Sequence, residues 1–139
     1  MKRVLVDINV ILDVLLDRAP HLEMSVAVWS AIESAGVEGL LAAHAVTTIH
    51  YLMERDLGPS AARRSIASLL RVFGVAPVDR AILQQAMDLS FTDFEDAVTA
   101  AAAASASCEG IITRDLKDFR NSPVRAISPR DALPLLRRK

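Results

Sequence analysis

Apolar positions follow two rhythms along this chain, short unbroken runs and stripes at helical spacing, and the two alternate. The first run, Val4, Leu5 and Val6, reads as a buried parallel strand, after which Val10, Ile11, Val14 and Leu15 recur at helical spacing from a start near Asn9. Residues 23–34 carry the next stripe, Met24, Ala27, Val28, Ala31 and Ile32, closed by Gly36, with Trp29 as a packing residue. A short second strand is predicted over 39–43 and a helix over 45–57, ended by Gly58 and Pro59. From Ser60, the set Ala62, Ile66, Leu69, Leu70 and Phe73 describes an amphipathic helix that stops at Gly74. A third strand over 75–78, a helix capped by Asp79 and running to about 89, and an alanine-rich helix over 93–107 follow. The fourth strand is predicted over 110–115 and the fifth over 124–127. Ser128, Pro129 and Asp131 then supply an N-cap, a first-position proline and an N3 acid for a final helix. Strands alternating with helices predict an α/β chain whose central parallel sheet, of about five strands, is covered on both faces.

Composition narrows this picture. The 139 residues suit one domain over 1–139, able to bury roughly two thirds of its unfolded surface. Although 52% of residues are apolar, no run approaches the roughly 18 needed to cross a bilayer, and the N-terminus has no signal-peptide layout. The expectation is a soluble, cytoplasmic protein without a membrane partner. A single cysteine, Cys108, excludes an internal disulfide, and one thiol with three scattered histidines makes no zinc site. Net charge is −1, but unevenly spread. Residues 1–113 carry 8 basic and 14 acidic side chains, a balance of −6, whereas 114–139 carry 8 and 3, a balance of +5. Such asymmetry can seat an anionic polymer beside an acidic pocket, or can simply be a solvated basic tail.

The acids fall where chemistry concentrates in such folds. Asp7 follows the first strand and Asp115 ends the fourth, and the carboxyl rim of a parallel sheet is where ligands bind. Asp7 has a structural reading too, as the cap of the helix that follows it. In Thr92-Asp-Phe-Glu-Asp96, Thr92 and Glu95 have capping-box spacing, which leaves Asp93 and Asp96 free on one helical face. The alternative makes Asp93 the N-cap and Asp96 its N3 partner. Four carboxylates meeting on one rim would repel strongly without a cation, and hard oxygen donors of this kind suit Mg²⁺ or Mn²⁺. One or two such ions can activate a water and neutralise charge on a phosphodiester, which is nuclease chemistry. Arg114, Lys117 and Arg120, flanking Asp115, are candidate contacts to substrate phosphates.

Three stretches carry a family resemblance: Val-Leu-Val-Asp-Ile-Asn-Val-Ile-Leu-Asp at the start, Asp-Phe-Glu-Asp-Ala-Val in the centre, and Ile-Ile-Thr-Arg-Asp-Leu-Lys-Asp-Phe near the end. In their order and spacing the chain resembles, over nearly its whole length, a PIN domain of the VapC-like toxin group. The resemblance implies a three-layer α/β/α ribonuclease that uses Mg²⁺ or Mn²⁺ and leaves 5'-phosphate and 3'-hydroxyl ends. It also implies a homodimer and a cognate antitoxin protein as partner, with the chain as the toxin of a bacterial toxin-antitoxin pair. Position by position, Asp7, Asp96 and Asp115 match the family's metal-binding and catalytic acids, and Asp93 an additional acid of one branch. Asn9 and Thr113 would hold the carboxylates or water.

One position departs from the pattern. Thr48 stands where the family places an acid on the helix after the second strand. Glu54, six residues on, falls on a different side of that helix at 100° per residue and reads as a surface residue. Asp93 would then supply the missing carboxylate, or a second metal would bind weakly. His44 and His50 could contact RNA or metal, although histidines in such places are commonly structural. Two other functions compete. One is a PIN-scaffold module that binds nucleic acid or protein but is catalytically weak or inactive, motivated by Thr48. The other is a haloacid-dehalogenase-like phosphatase, which also begins with an aspartate after its first strand, but here Asn9 replaces its second aspartate and no suitable lysine follows.

Overall fold

Val4, Leu5 and Val6 are at most 1% exposed, because the strand they form, β1 (Arg3–Val6), is the middle of the sheet and has helices on both faces. A computed structural model describes residues 1–138. Its other strands are β2 (Glu38–Ala42), β3 (Gly74–Ala76), β4 (Gly110–Ile112) and β5 (Ala126–Ile127). They lie in the order β3-β2-β1-β4-β5, and every pairing is parallel. Parallel neighbours require crossover connections, which the chain supplies as helices except between β4 and β5, where residues 113–125 form a loop. The helices are α1 (Ile8–Leu15) and α2 (Leu22–Ala35) before β2, then α3 (Ala43–Leu57) and α4 (Pro59–Val72) before β3. They are followed by α5 (Arg80–Met87) and α6 (Phe94–Ser105) before β4, and by a final α7 (Pro129–Arg137).

Two cores result. Val4 and Val6 join α1, α2, α3, α4 and α7 on one face, and Leu5 joins α5 and α6 on the other. Residues one apart on a strand point to opposite faces, so β1 contributes to both. Trp29 packs edge-on against Phe73, ring centroids 5.2 Å apart. In α6 every residue from Ala97 to Ala103 is buried, and their small side chains allow close packing against α5 and the sheet. The buried alanine face of α6 is therefore covered by the chain itself. Gly36 ends α2 at φ +73°, a left-handed conformation that costs glycine little.

Three of the observed strands, β3, β4 and β5, are shorter than the sequence suggested. β3 ends at Ala76, before Pro77, since proline offers no ladder donor. β4 ends at Ile112, so Asp115 stands three residues beyond the strand, on a loop that turns at once: Asp118 N–H donates to the Asp115 carbonyl at 3.1 Å. β5 keeps only Ala126 and Ile127 of the expected four residues.

Strand order dictates where a ligand belongs. The chain runs outward through β1, β2 and β3, then crosses back to place β4 on the other side of β1. Connections leave β1 and β4 in opposite directions at that reversal, opening a crevice at the carboxyl ends of the two strands. Asp7 lies at the end of β1, and the Thr113–Asp115 loop at the end of β4.

Candidate active site

Asp7 is held from three sides. Its backbone N–H continues the sheet ladder to the Ile112 carbonyl at 2.9 Å, while its extended conformation makes it the N-cap of α1. One carboxylate oxygen accepts from the Ile8 N–H at 2.9 Å; the other accepts from the Thr113 hydroxyl at 2.8 Å and the Asn9 amide at 3.2 Å. The capping and rim-acid readings of Asp7 thus describe one residue. Although all three donors favour the charged form, the side chain is only 4% exposed. Burial outweighs them and, with the Asp115 charge added, pushes the pKa from 3.8 up to about 6.

Asn9 joins the two strand ends. Its amide nitrogen also reaches Asp115 Oδ2 at 3.0 Å and the Thr113 hydroxyl at 3.3 Å, and its carbonyl oxygen accepts from the Arg114 N–H at 3.3 Å. The Thr113 hydroxyl is saturated: it donates to Asp7 and accepts from Asn9 and from the Asp115 N–H at 3.0 Å. Residues over 100 positions apart thereby bring Asp7 and Asp115 onto one amide group.

The start of α6 brings the other acids. Asp93, not Thr92, is the N-cap, accepting from the Asp96 N–H at 3.0 Å, so the capping-box expectation gives way to its alternative. Asp96 itself lies among like charges. Burial, followed by the charges of Asp7, Asp93, Asp118 and Asp115, pushes its pKa from 3.8 up to about 7. A cleft of about 360 Å³ opens here, walled by Asp93, Asp96 and Asp118 on the acidic side and by Lys117, Arg120 and Asn121. Asp7 and Asp115 are not among its walls. They are coupled to it through Asp96. Asp118 is the acid that sequence reading overlooked, although it stands in the same Thr-Arg-Asp-Leu-Lys-Asp run as Asp115, three residues along.

Other candidates fall elsewhere. Arg114, a candidate phosphate contact, does not line this cleft; its Nε and Nη2 bind the buried Asp13 carboxylate at 2.7 and 3.0 Å. The Thr48 hydroxyl turns back to the His44 carbonyl one helical turn earlier, at 3.4 Å, and places no acid on the rim. Glu54 is exposed and lines a groove between α3 and α4 with His50, Arg63 and Leu70. His44 braces α3 against α6, its Nε2 lying 3.2 Å from the Glu95 carbonyl and 3.4 Å from the Thr99 hydroxyl.

Among the described residues, no three acidic, histidine or cysteine side chains stand close enough together to hold a metal ion between them. Carboxylate oxygens are nevertheless the kind of donor that Mg²⁺ and Mn²⁺ take. These ions keep several waters and take one or two carboxylates plus substrate phosphates, and the carboxylates here are unfavourably charged together.

A doubly covered parallel sheet with acids gathered at its topological switch point defines an α/β/α protein with a carboxylate-rich crevice. Residues 3–117 match the model of the PIN domain, and the chain belongs to that family. No curated protein matches its sequence. Among solved structures, the chain resembles the Mycobacterium tuberculosis VapC20, described as a Sarcin-Ricin loop cleaving toxin, with 18% identity, a TM-score of 0.69 and coverage of 87% of this chain and 95% of that one. It also resembles FitAcB from Neisseria gonorrhoeae, with 24% identity, a TM-score of 0.69 and coverage of 91% and 97%. A toxin-antitoxin complex from Klebsiella pneumoniae matches at 18% identity, TM-score 0.67, with coverage of 91% and 97%. At these identities the likeness establishes the shared three-layer fold. No described helix is long and apolar enough to cross a membrane.

Proposed function

We propose that this protein is a divalent-metal-dependent endoribonuclease and the toxin of a toxin-antitoxin pair. The observation that carries the reading is the sharing of Asn9 between Asp7 and Asp115 at the switch point, with Asp96 coupled electrostatically to both. Asp7, Asp115, Asp96 and Asp93 would hold one or two Mg²⁺ or Mn²⁺ ions. When bound, such an ion activates a water and neutralises charge developing on a phosphodiester. The chain's own residues do the rest. Thr113 and Asn9 fix the Asp7 and Asp115 carboxylates, so little reorganisation is left for the reaction. Lys117 and Arg120, which line the same cleft as Asp93, Asp96 and Asp118, hold backbone phosphates of the RNA.

Asp7→Asn tests the mechanism. The purified variant should remain folded and lose Mg²⁺-dependent RNA cleavage; undiminished cleavage would overturn the reading. The toxin assignment is supported by the family and by the solved toxin-antitoxin complexes that share the fold. It predicts a neighbouring short reading frame for a DNA-binding protein whose tail blocks the crevice and suppresses cleavage. If purified partner protein leaves cleavage untouched, the assignment fails.

Thr48 supports a second reading, a PIN scaffold that binds RNA but does not cut it, because α3 brings no carboxylate to the rim. Full RNA binding without turnover at any Mg²⁺ or Mn²⁺ concentration would favour that reading.

A further inference from the structure

Asp13 has no part in the site so far, yet it is 0% exposed, in a helix whose preceding three residues, Val10, Ile11 and Leu12, are all buried. A carboxylate in such surroundings is costly unless it is paired and fully hydrogen-bonded. Here it is both. Arg114 grips it through two parallel N–H bonds, and the Ser25 hydroxyl of α2 donates to Oδ2 at 3.0 Å. A buried pair of this kind adds little net stability over apolar residues of similar size, so stability alone does not explain it.

Its position does. Asn9 and Asp13 are four residues apart, hence one turn apart on the same face of α1. Both hold the same residue: Asp13 takes the side chain of Arg114, and Asn9 accepts from its backbone N–H. The residues on either side of Arg114 are Thr113, which bonds Asp7, and Asp115, which bonds Asn9. One helix therefore clamps the three-residue loop at two points, and the loop has little freedom to rotate.

We infer that Asp13 is a positioning residue which, by fastening Arg114, fixes the loop that carries Thr113 and Asp115 and so sets how Asp7 and Asp115 face each other. Arg114 belongs to the scaffold and not to the substrate surface. The catalytic consequence rests on the ribonuclease reading; the geometric claim does not.

The test uses the full chain with the buried cluster made apolar, Asp13→Leu, Arg114→Met and Ser25→Ala together, so that no charge is left stranded. Arg114→Lys, which keeps the charge but not the fork, is the second variant. Three readouts are taken: the Asn9 side-chain amide resonances without RNA, Mn²⁺ affinity by calorimetry, and kcat and KM on single-stranded RNA at two salt concentrations. The apolar variant should melt cooperatively and show displaced Asn9 resonances. Its Mn²⁺ affinity and kcat should each fall about 10- to 100-fold, as when groups supporting metal ligands are removed. KM and its salt dependence should stay as in the wild type, and Arg114→Lys should recover part of the loss. Unchanged Asn9 resonances in the folded apolar variant would overturn the inference. So would a raised KM with a shallower salt dependence and an intact kcat, which would mean that Arg114 touches phosphate. If the wild type neither binds Mn²⁺ nor cleaves RNA, the ribonuclease reading falls, and the Asn9 resonances still decide the geometry.

Discussion

The two halves of the acidic rim are built differently. At the strand ends, Asp7 is 4% exposed and accepts three hydrogen bonds, and Asp115 is tied to it through Asn9 and Thr113. At the start of α6, Asp93 spends one oxygen on a helix cap, and the Asp96 carboxylate accepts no hydrogen bond among the described residues. Burial raises the pKa in both halves, but hydrogen bonds oppose it at Asp7, whereas four neighbouring carboxylates reinforce it at Asp96. The first half is set in place before any ligand arrives. The second has, among the described residues, no such hydrogen bonds to the Asp96 carboxylate and lies among like charges, which a cation would offset.

Activity should separate the halves least and show the largest effect. Asp7→Asn and Asp96→Asn should each lower the cleavage rate about 10³-fold, the equivalent of several kcal/mol of lost charge stabilisation. Single-turnover assays at saturating Mg²⁺ check this, and a variant within tenfold of the wild type would remove its residue from the site.

The pH dependence comes next. Asp7 and Asp96 have folded pKa values above their ordinary 3.8, so the stability they contribute is complete below about pH 3.8 and is lost as pH rises through about 6 and about 7. For Asp7 the loss is on the order of 3 kcal/mol. Without divalent metal, the melting temperature should therefore fall between pH 5 and pH 8. Mg²⁺ should restore it more at pH 8, where both carboxylates are charged, than at pH 5. Thermal melts at the two pH values, with EDTA and with Mg²⁺, provide the comparison.

Thr113→Val should cost about 2 kcal/mol in the built half, since it leaves the Asp115 N–H and an Asn9 donor without their acceptor. In the open half, Asp93→Ala should cost about 1 kcal/mol and Asp93→Asn almost nothing, because asparagine caps a helix equally well. Denaturant midpoints measure all three. The smallest effect belongs to the cationic wall. Lys117→Ala with Arg120→Ala should weaken RNA binding modestly and reduce its salt slope by about 1.5 to 2, read by titration at several salt concentrations.

The built half was partly legible in the sequence, and the reason is local. An aspartate that interrupts an apolar strand-to-helix run declares itself, as Asp7 does, and Asn9 and Thr113 could be placed beside it through the family resemblance. Asp13 interrupts a helical stripe in the same way. Its meaning stayed hidden because the partner that makes its burial tolerable, Arg114, is 101 residues away. Arg114 in turn looked like a substrate contact because its neighbours in sequence are site residues, while its side chain leaves in the other direction. At α6 the sequence offered two caps, and only the folded chain shows that Asp93 takes the role. Strand lengths were overread for a related reason. The residues before Ala126 and after Ile112 carry no sign in the sequence of where pairing stops, which depends on the neighbouring strand and on the turn that begins at Asp115.

The central claim is that the two halves act on the same ion. A double-mutant cycle on Mn²⁺ affinity, measured by calorimetry for the wild type, Asp7→Asn, Asp96→Asn and the double variant, tests it most directly. Shared coordination predicts that each single substitution weakens binding and that the double variant loses clearly less than the sum of the two losses. Single substitutions that leave Mn²⁺ affinity unchanged, or losses that simply add, would contradict it.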